Sequence, residues 1–285
     1  MMRNENMNEP KNQQSCQTSV MVSADLINKI HNENCLETMA KMPDSFIDLT
    51  VTSPPYDGLR TYNGYSFDFE SIAKELYRVT KNGGVLVWVV NDETKQFCES
   101  TNSFKQALFF NEIGFNLLDT MIYYKQNYAP AYPTLRRYAN QFEYMFVFSK
   151  GKPKSFNPVQ SKKVRSKIEK GCGMRQKNGT ITDTKILIPK KETKDSSNVW
   201  EYPTDKAKGA KHHPAVFPEQ LANDHIISWS NENDIVYDCF SGSGTTAKMS
   251  IINNRKWIAS EISSEYCEII KERIKIDKGL FENVS

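Results

Sequence analysis

The chain has 285 residues, 39% of them hydrophobic and 25% charged, with a net charge of +3. That is room for one large α/β domain, or one domain with an insertion, around a sizeable core. No apolar run approaches the about 18 residues of a membrane span, and the six cysteines (Cys16, Cys35, Cys98, Cys172, Cys239 and Cys267) form no CxxC pair, which argues against a disulfide framework or a metal site.

Residues 1–22 are polar, lack aromatics and have no apolar stretch typical of a secretory signal, so they read as a disordered tail of a reduced, cytoplasmic protein. Leu26–Ile30 reads as a short strand ahead of His31, and 35–43 as one or two helical turns. Residues 47–52 form a strand that runs straight into Thr52-Ser53-Pro54-Pro55-Tyr56. Two prolines there are unusual, because proline donates no ladder hydrogen bond and stiffens the backbone. Phe69, Ile72, Ala73, Leu76 and Val79 recur at helical spacing, and Asn82-Gly83-Gly84 predicts the end of that helix. The continuous apolar run 85–90 predicts a buried strand. Phe104, Ala107, Leu108 and Ile113 predict another helix, ended by Gly114, and 117–124 and 142–149 read as strands.

Past Lys150 the periodicity dissolves. Residues 151–211 hold 16 of the 37 Lys+Arg against 6 of the 34 Asp+Glu, a local charge of +10 that suggests a polyanion partner or a solvated lysine-rich loop. Order returns over 212–230 with a helix that has Pro218 near its first turn. A strand at 235–239, a glycine-rich turn, a helix, a strand at 257–261 and a last helix from Ser263 follow. Alternating strands and helices predict a doubly wound, mostly parallel sheet. The expected organisation is a tail (1–22), one half of the domain (23–150), a basic insert (151–205) and the other half (206–285).

The turn Asp238-Cys239-Phe240-Ser241-Gly242-Ser243-Gly244-Thr245-Thr246 lies between a strand and a helix. Gly242 and Gly244 permit close approach of the backbone, and helix N-terminal amides favour a negative group. Glu261 ends the next strand, 17 residues past Gly244, where an acid can accept hydrogen bonds from two ribose hydroxyls. Together these describe a nucleoside-cofactor site. The dinucleotide pattern G-x-G-x-x-G is met in its tolerant form, with Ala247 third, whereas the phosphate-loop pattern fails for want of Lys-Ser/Thr after Gly244. S-adenosylmethionine also fits, so the turn alone leaves a dinucleotide and S-adenosylmethionine both open.

TSPPY followed much later by DCFSGSGTT resembles the β-group amino-methylating DNA methyltransferases. In that family the catalytic motif precedes the cofactor motif and a target-recognition region lies between. The resemblance covers about residues 23–150 and 196–276 and includes "LYRVTKNGG" (76–84), "NVWEYP" (198–203) and "HHPAVFPEQL" (212–221). It implies a seven-stranded, mostly parallel sheet with one antiparallel strand, a Rossmann-like fold of circularly permuted motif order. It further implies S-adenosylmethionine as cofactor, double-stranded DNA as substrate and a cognate restriction endonuclease as a candidate partner, with no membrane or metal involved.

The resemblance also assigns residues. A base amino nitrogen is a poor nucleophile because its lone pair is delocalised into the ring. The Ser53 side chain and the Pro54 carbonyl would accept its two N–H bonds, Pro55 would help to fix that carbonyl, and Tyr56 would stack on the extruded base. Asp238, Phe240, Ser241, Gly242, Gly244, Thr245 and Glu261 form the cofactor set, with Phe240 either against the cofactor or in the core. Asn34 stands in Glu33-Asn34-Cys35 where the family often has Gly-Asp-Cys, and could bond the cofactor without a carboxylate. Cys239 replaces a frequent proline and reads as a packing residue. His213 lines the cofactor pocket or caps the next helix. Arg60 and Tyr62 touch the flipped nucleotide or lie on a surface loop, and Lys162, Lys163, Arg165 and Lys167 are candidate DNA contacts. Asp92, at a strand end, reads as a solvated loop acid rather than a cofactor contact, and Trp200 as packing on the sheet. In the family, Asp or Asn usually replaces Ser53 in adenine enzymes, which tips the expectation to cytosine N4 over adenine N6. The absence of a Pro-Cys dipeptide argues against ring-carbon methylation, the motif order against an NPPY-type protein or RNA enzyme, and the intact motifs against a non-catalytic DNA-binding module. A dinucleotide oxidoreductase is the remaining alternative.

Overall fold

The computed structural model describes residues 25–55, 67–127, 137–162, 174–175, 181–182, 193–204 and 218–281. The tail and the candidates Tyr56, Arg60, Tyr62, Lys163, Arg165, Lys167 and His213 lie outside the described residues, and Lys162 is described by its backbone alone. The chain divides into two units, Met1–Asn157 with Asn198–Ser285, and Pro158–Ser197.

In chain order the larger unit begins with β1 (Lys29–His31), α1 (Cys35–Ala40), β2 (Ile47–Thr52), α2 (Phe69–Val79) and β3 (Thr80–Val90). A small hairpin of β4 (Thr94–Lys95) and β5 (Cys98–Glu99), α3 (Asn102–Glu112), β6 (Asn116–Lys125) and β7 (Phe142–Ser149) follow. The smaller unit contains two short antiparallel pairs: β8 (Gln160–Lys162) with β11 (Thr193–Asp195), and β9 (Met174–Arg175) with β10 (Ile181–Thr182). The larger unit then resumes with β12 (Val199–Tyr202), α4 (Glu219–Trp229), β13 (Ile235–Asp238), α5 (Thr245–Ile252), β14 (Lys256–Ser260) and α6 (Ser264–Phe281).

The main sheet has the order β1-β14-β13-β2-β3-β7-β6-β12, and β7 alone runs against the rest. The expected mostly parallel sheet is present, with eight strands rather than seven. The extra strand is β12, which pairs in parallel with β6 from Val199 opposite Ile122 to Tyr202 opposite Lys125. All six residues of β2 are buried, as a strand covered on both faces requires. Trp88 on β3 packs edge-on against Phe110 of α3 (centroids 5.1 Å apart), and Phe110 meets Phe148 of β7 at the same spacing, which anchors α3 on the sheet.

Two boundaries differ from expectation for local reasons. Asn28 turns the chain at φ +59, so β1 starts at Lys29 and buried Leu26 precedes it. α2 ends at Val79, not at Asn82-Gly83-Gly84, because Thr80 already pairs with Ile47. The glycines instead sit in an irregularity of the β2–β3 ladder, with Gly83 at φ +83.

From β2 the chain proceeds to β3 on one side, and from β13 to β14 on the other. The crevice between the carboxyl ends of β2 and β13 is therefore a topological switch point, where open α/β sheets bind ligands.

Candidate active site

Both motifs meet at that crevice. β2 ends at Thr52, followed by half-buried Ser53, buried Pro54 and half-buried Pro55, and β13 ends at Asp238, which opens the glycine turn. Thr52 donates its hydroxyl to Asp238 Oδ1 at 2.7 Å, and the Phe240 N–H reaches the same oxygen at 3.1 Å. Burial pushes the Asp238 carboxyl up to about 6 although the Thr52 hydroxyl and the Phe240 N–H donate to it. Its carboxylate thus ties the two strand ends together. Thr246 Oγ1 adds a second tie to β2 by donating to the Val51 carbonyl (3.2 Å).

The turn is shaped from both sides. Gly242 (φ +49) donates its N–H to Glu261 Oε2 at 2.8 Å, and Ser263 donates its N–H to Glu261 Oε1 at 2.9 Å. Burial raises the Glu261 carboxyl, and these two amides pull against it. A carboxylate oxygen can accept more than one hydrogen bond, so Glu261 can brace the turn and still take a pair of hydroxyls. Gly244 (φ +79) caps α5, and a Cβ there would lie 2.7 Å from Ile270 Cγ2 on α6. Its lack of a side chain serves the packing of that helix. Ser241 donates its hydroxyl to the Asp238 carbonyl (3.0 Å), and Thr245 is buried at the start of α5.

Phe240 lies between the aromatic core and the crevice, half-buried, edge-on to Phe67 (5.7 Å) and Trp88 (6.2 Å). Cys239 is a packing residue, as expected, and burial raises its thiol well above the ordinary value. Trp200 is a member of β12 itself, and its indole lies 4.6 Å from the His225 ring on α4 with the two planes tilted by 40°.

One sequence reading gains a local role and another changes. Asn34 caps α1, its Oδ1 accepting the Leu36 N–H at 2.9 Å, a bond that leaves the amide oxygen a second lone pair for a cofactor. Asp92 is buried, not solvated. Its carboxylate accepts the Ser103 N–H (3.0 Å), the Ser100 hydroxyl (2.9 Å) and the Ser103 hydroxyl, and so caps the start of α3.

Sequence reasoning missed three supports of the turn. Asn32 Nδ2 donates to the Glu261 carbonyl at 3.0 Å. Arg273 Nη1 donates to the Ser243 carbonyl (2.6 Å) and hydroxyl (2.8 Å), and its Nη2 pairs with Glu219 at 2.7 Å. Glu219 also holds Lys248 at 3.0 Å. Burial alone would raise its carboxyl, yet the two cations bring it below the ordinary value. Arg273 sits on a helical period with Ile270 but carries no local sign of its distant partner.

The DNA methylase family model matches residues 47–272. The chain belongs to the DNA methylase family. It is 54% identical over 241 residues to the orphan methyltransferase M.BamHII of Bacillus amyloliquefaciens, covering 81% of this chain and 90% of that one. It is 27% identical to the type II methyltransferase M1.MboII of Moraxella bovis, covering 84% and 94%. Among solved structures, PvuII DNA methyltransferase (cytosine-N4-specific) is similar with a TM-score of 0.65 at 22% identity, covering 86% of this chain and 85% of that one. A DNA modification methylase of Thermus thermophilus complexed with S-adenosyl-L-methionine is similar at 0.57, with 22% identity and coverage of 86% and 92%.

The protein is an S-adenosylmethionine-dependent DNA amino-methyltransferase of the N4/N6 type. The dinucleotide reading falls with this finding. The crevice suits the cofactor: two glycines at positive φ, an aromatic ring and a carboxylate line one turn. Among the described residues, no helix is long and apolar enough to cross a membrane.

Proposed function

We propose that this protein methylates the N4 amino group of a cytosine extruded from a specific site in double-stranded DNA. The observation that carries the reading is the Thr52–Asp238 bond, which holds Ser53-Pro54-Pro55 beside the glycine turn at the switch-point crevice. S-adenosylmethionine, when bound, supplies an electrophilic methyl group. Ser53 and the Pro54 carbonyl each accept one N–H of the target amino group, which raises electron density on nitrogen and pyramidalises it. The proline pair keeps that carbonyl from swinging away, so the acceptors are preorganised. Tyr56 stacks on the extruded base, and alignment supplies most of the rate. Asp238, Phe240, Ser241, Gly242, Gly244, Thr245 and Glu261 hold the cofactor directly or shape its cradle, with His213 as a further wall.

Target recognition belongs, on this reading, to the basic insert 151–205, whose sequence includes the compact unit Pro158–Ser197. Lys162, Lys163, Arg165 and Lys167 contact the phosphates, because the charge of +10 over residues 151–211 in a DNA enzyme matches a polyanion, and Arg60 contacts the flipped nucleotide or its phosphates. The relative at 54% identity is called an orphan methyltransferase, which favours action without a cognate restriction endonuclease. The test is to methylate DNA with the purified protein, digest it to nucleosides and analyse them by mass spectrometry. N4-methylcytosine is expected. N6-methyladenine alone would overturn the choice of base and leave the acceptor arrangement intact.

A further inference from the structure

The β4–β5 hairpin is built in a way that the fold does not need. Lys95 pairs with Cys98, so Gln96 and Phe97 form a two-residue turn. Both have positive φ, +48 and +68. Turns of this kind favour Asn-Gly, since bulky residues are strained there. Strain in a sparsely populated backbone region is a mark of functional segments. The Phe97 side chain is 68% exposed, and no ring contact holds it among the described residues. A strained aromatic in water stabilises neither the core nor the hairpin.

The rest of the hairpin is held firmly. Arg137 pairs with Glu99 at 2.9 Å and also bonds the Thr94 hydroxyl. Ser100, which ends the hairpin, bonds the buried Asp92 carboxylate through its hydroxyl and the Glu93 carbonyl through its N–H (2.9 Å each). Asp92 in turn caps α3.

The hairpin also follows the carboxyl end of β3, the strand that pairs with β2. Thr52 is opposite Trp88 in the β2–β3 ladder, so where β2 ends ahead of Ser53-Pro54 its neighbour β3 runs on for two residues to Val90. Thr94 follows four residues later, within about 14 Å of chain reach. A target amino group in a paired duplex is reachable only after its base leaves the stack, and apolar side chains that enter the stack lower the cost of that exit.

We propose that Phe97 is a wedge that enters the DNA stack beside the target base as that base is extruded, with the hairpin as its rigid mount. The inference rests on the base-extruding function proposed above, and names a positioning residue outside both motifs. The test uses full-length protein and a duplex with the target site found by methylation-sensitive sequencing. Gln96→Asn with Phe97→Gly keeps the turn in its preferred chemistry and removes the ring. On the paired duplex, the variant should lose about tenfold or more in kcat/KM. On the same duplex with the target base mispaired, where little pairing remains to be broken, most of the activity should return. S-adenosylmethionine affinity by calorimetry should match the wild type. Equal losses on both duplexes, or no loss on either, would overturn the wedge while wild-type turnover keeps the enzyme reading in place. Wild-type protein that methylates no DNA would overturn the enzyme reading and the wedge with it.

Discussion

Thr52 and Asp238 stand 186 residues apart in the chain and share a 2.7 Å hydrogen bond at the ends of two neighbouring parallel strands. Thr52 immediately precedes the candidate catalytic residues, and Asp238 opens the glycine turn. One buried carboxyl therefore sets the distance between the two halves of the site.

That carboxyl titrates at about 6, above its ordinary value of 3.8. The native state thus holds a proton that the unfolded chain has released between about pH 4 and pH 6. Stability contributed by this group is highest below that window and falls as pH rises through it, by about 3 kcal/mol in all. Asp238→Asn keeps an acceptor for Thr52 and carries no titrating group. Denaturant midpoints measured from pH 4 to pH 7 should fall less steeply in the variant, and parallel curves would show that Asp238 does not supply the dependence.

Gly244→Ala should act on folding before it acts on binding. The new methyl would lie 2.7 Å from Ile270 Cγ2 at a φ of +79, which combines strain with overpacking. A loss of about 2–4 kcal/mol is expected in chemical denaturation. Ile270→Ala removes both Cγ1 and Cγ2, the atoms nearest the new methyl, and should be less harmful in the Gly244→Ala background than in the wild type, a coupling that a double-mutant cycle measures.

Glu261→Ala removes the acceptor of the Gly242 and Ser263 amides together with the expected ribose contact. S-adenosylmethionine binding in calorimetry should weaken by roughly 1.5–3 kcal/mol. Glu261→Gln retains one carbonyl acceptor and should fall between the two proteins. Unchanged affinity in a folded Glu261→Ala protein would remove Glu261 from the cofactor site.

Ser53→Ala should lower kcat far more than it weakens DNA binding, because the hydroxyl is asked to act as the amino nitrogen rehybridises. Single-turnover rates and DNA affinity measured on the same preparation separate the two. Near-normal turnover would take the side-chain acceptor out of the mechanism, whichever base is modified.

What the sequence by itself determined are the features that short segments encode. Ser53-Pro54-Pro55 after a buried strand, Gly242 and Gly244 between strand and helix, and the acid at the next strand end declare themselves through backbone preferences and apolar periodicity, and their order along the chain pointed to the family. The tertiary structure alone decided which groups those residues face. The Asp238 carboxylate reads as a cofactor ligand in a motif, yet its partner Thr52 comes from the other half of the domain. Asp92 reads as a loop acid until α3 folds back to place Ser103 on it. Arg273 gains its role only when α6 packs its turn beside Ser243 and Glu219. Val199–Tyr202 becomes a strand because β6 presents a free edge to it. Local propensity specifies a conformation within a few residues of itself, whereas a hydrogen-bond partner or a strand neighbour is chosen by chain closure over a hundred residues or more, and no window of sequence carries that information.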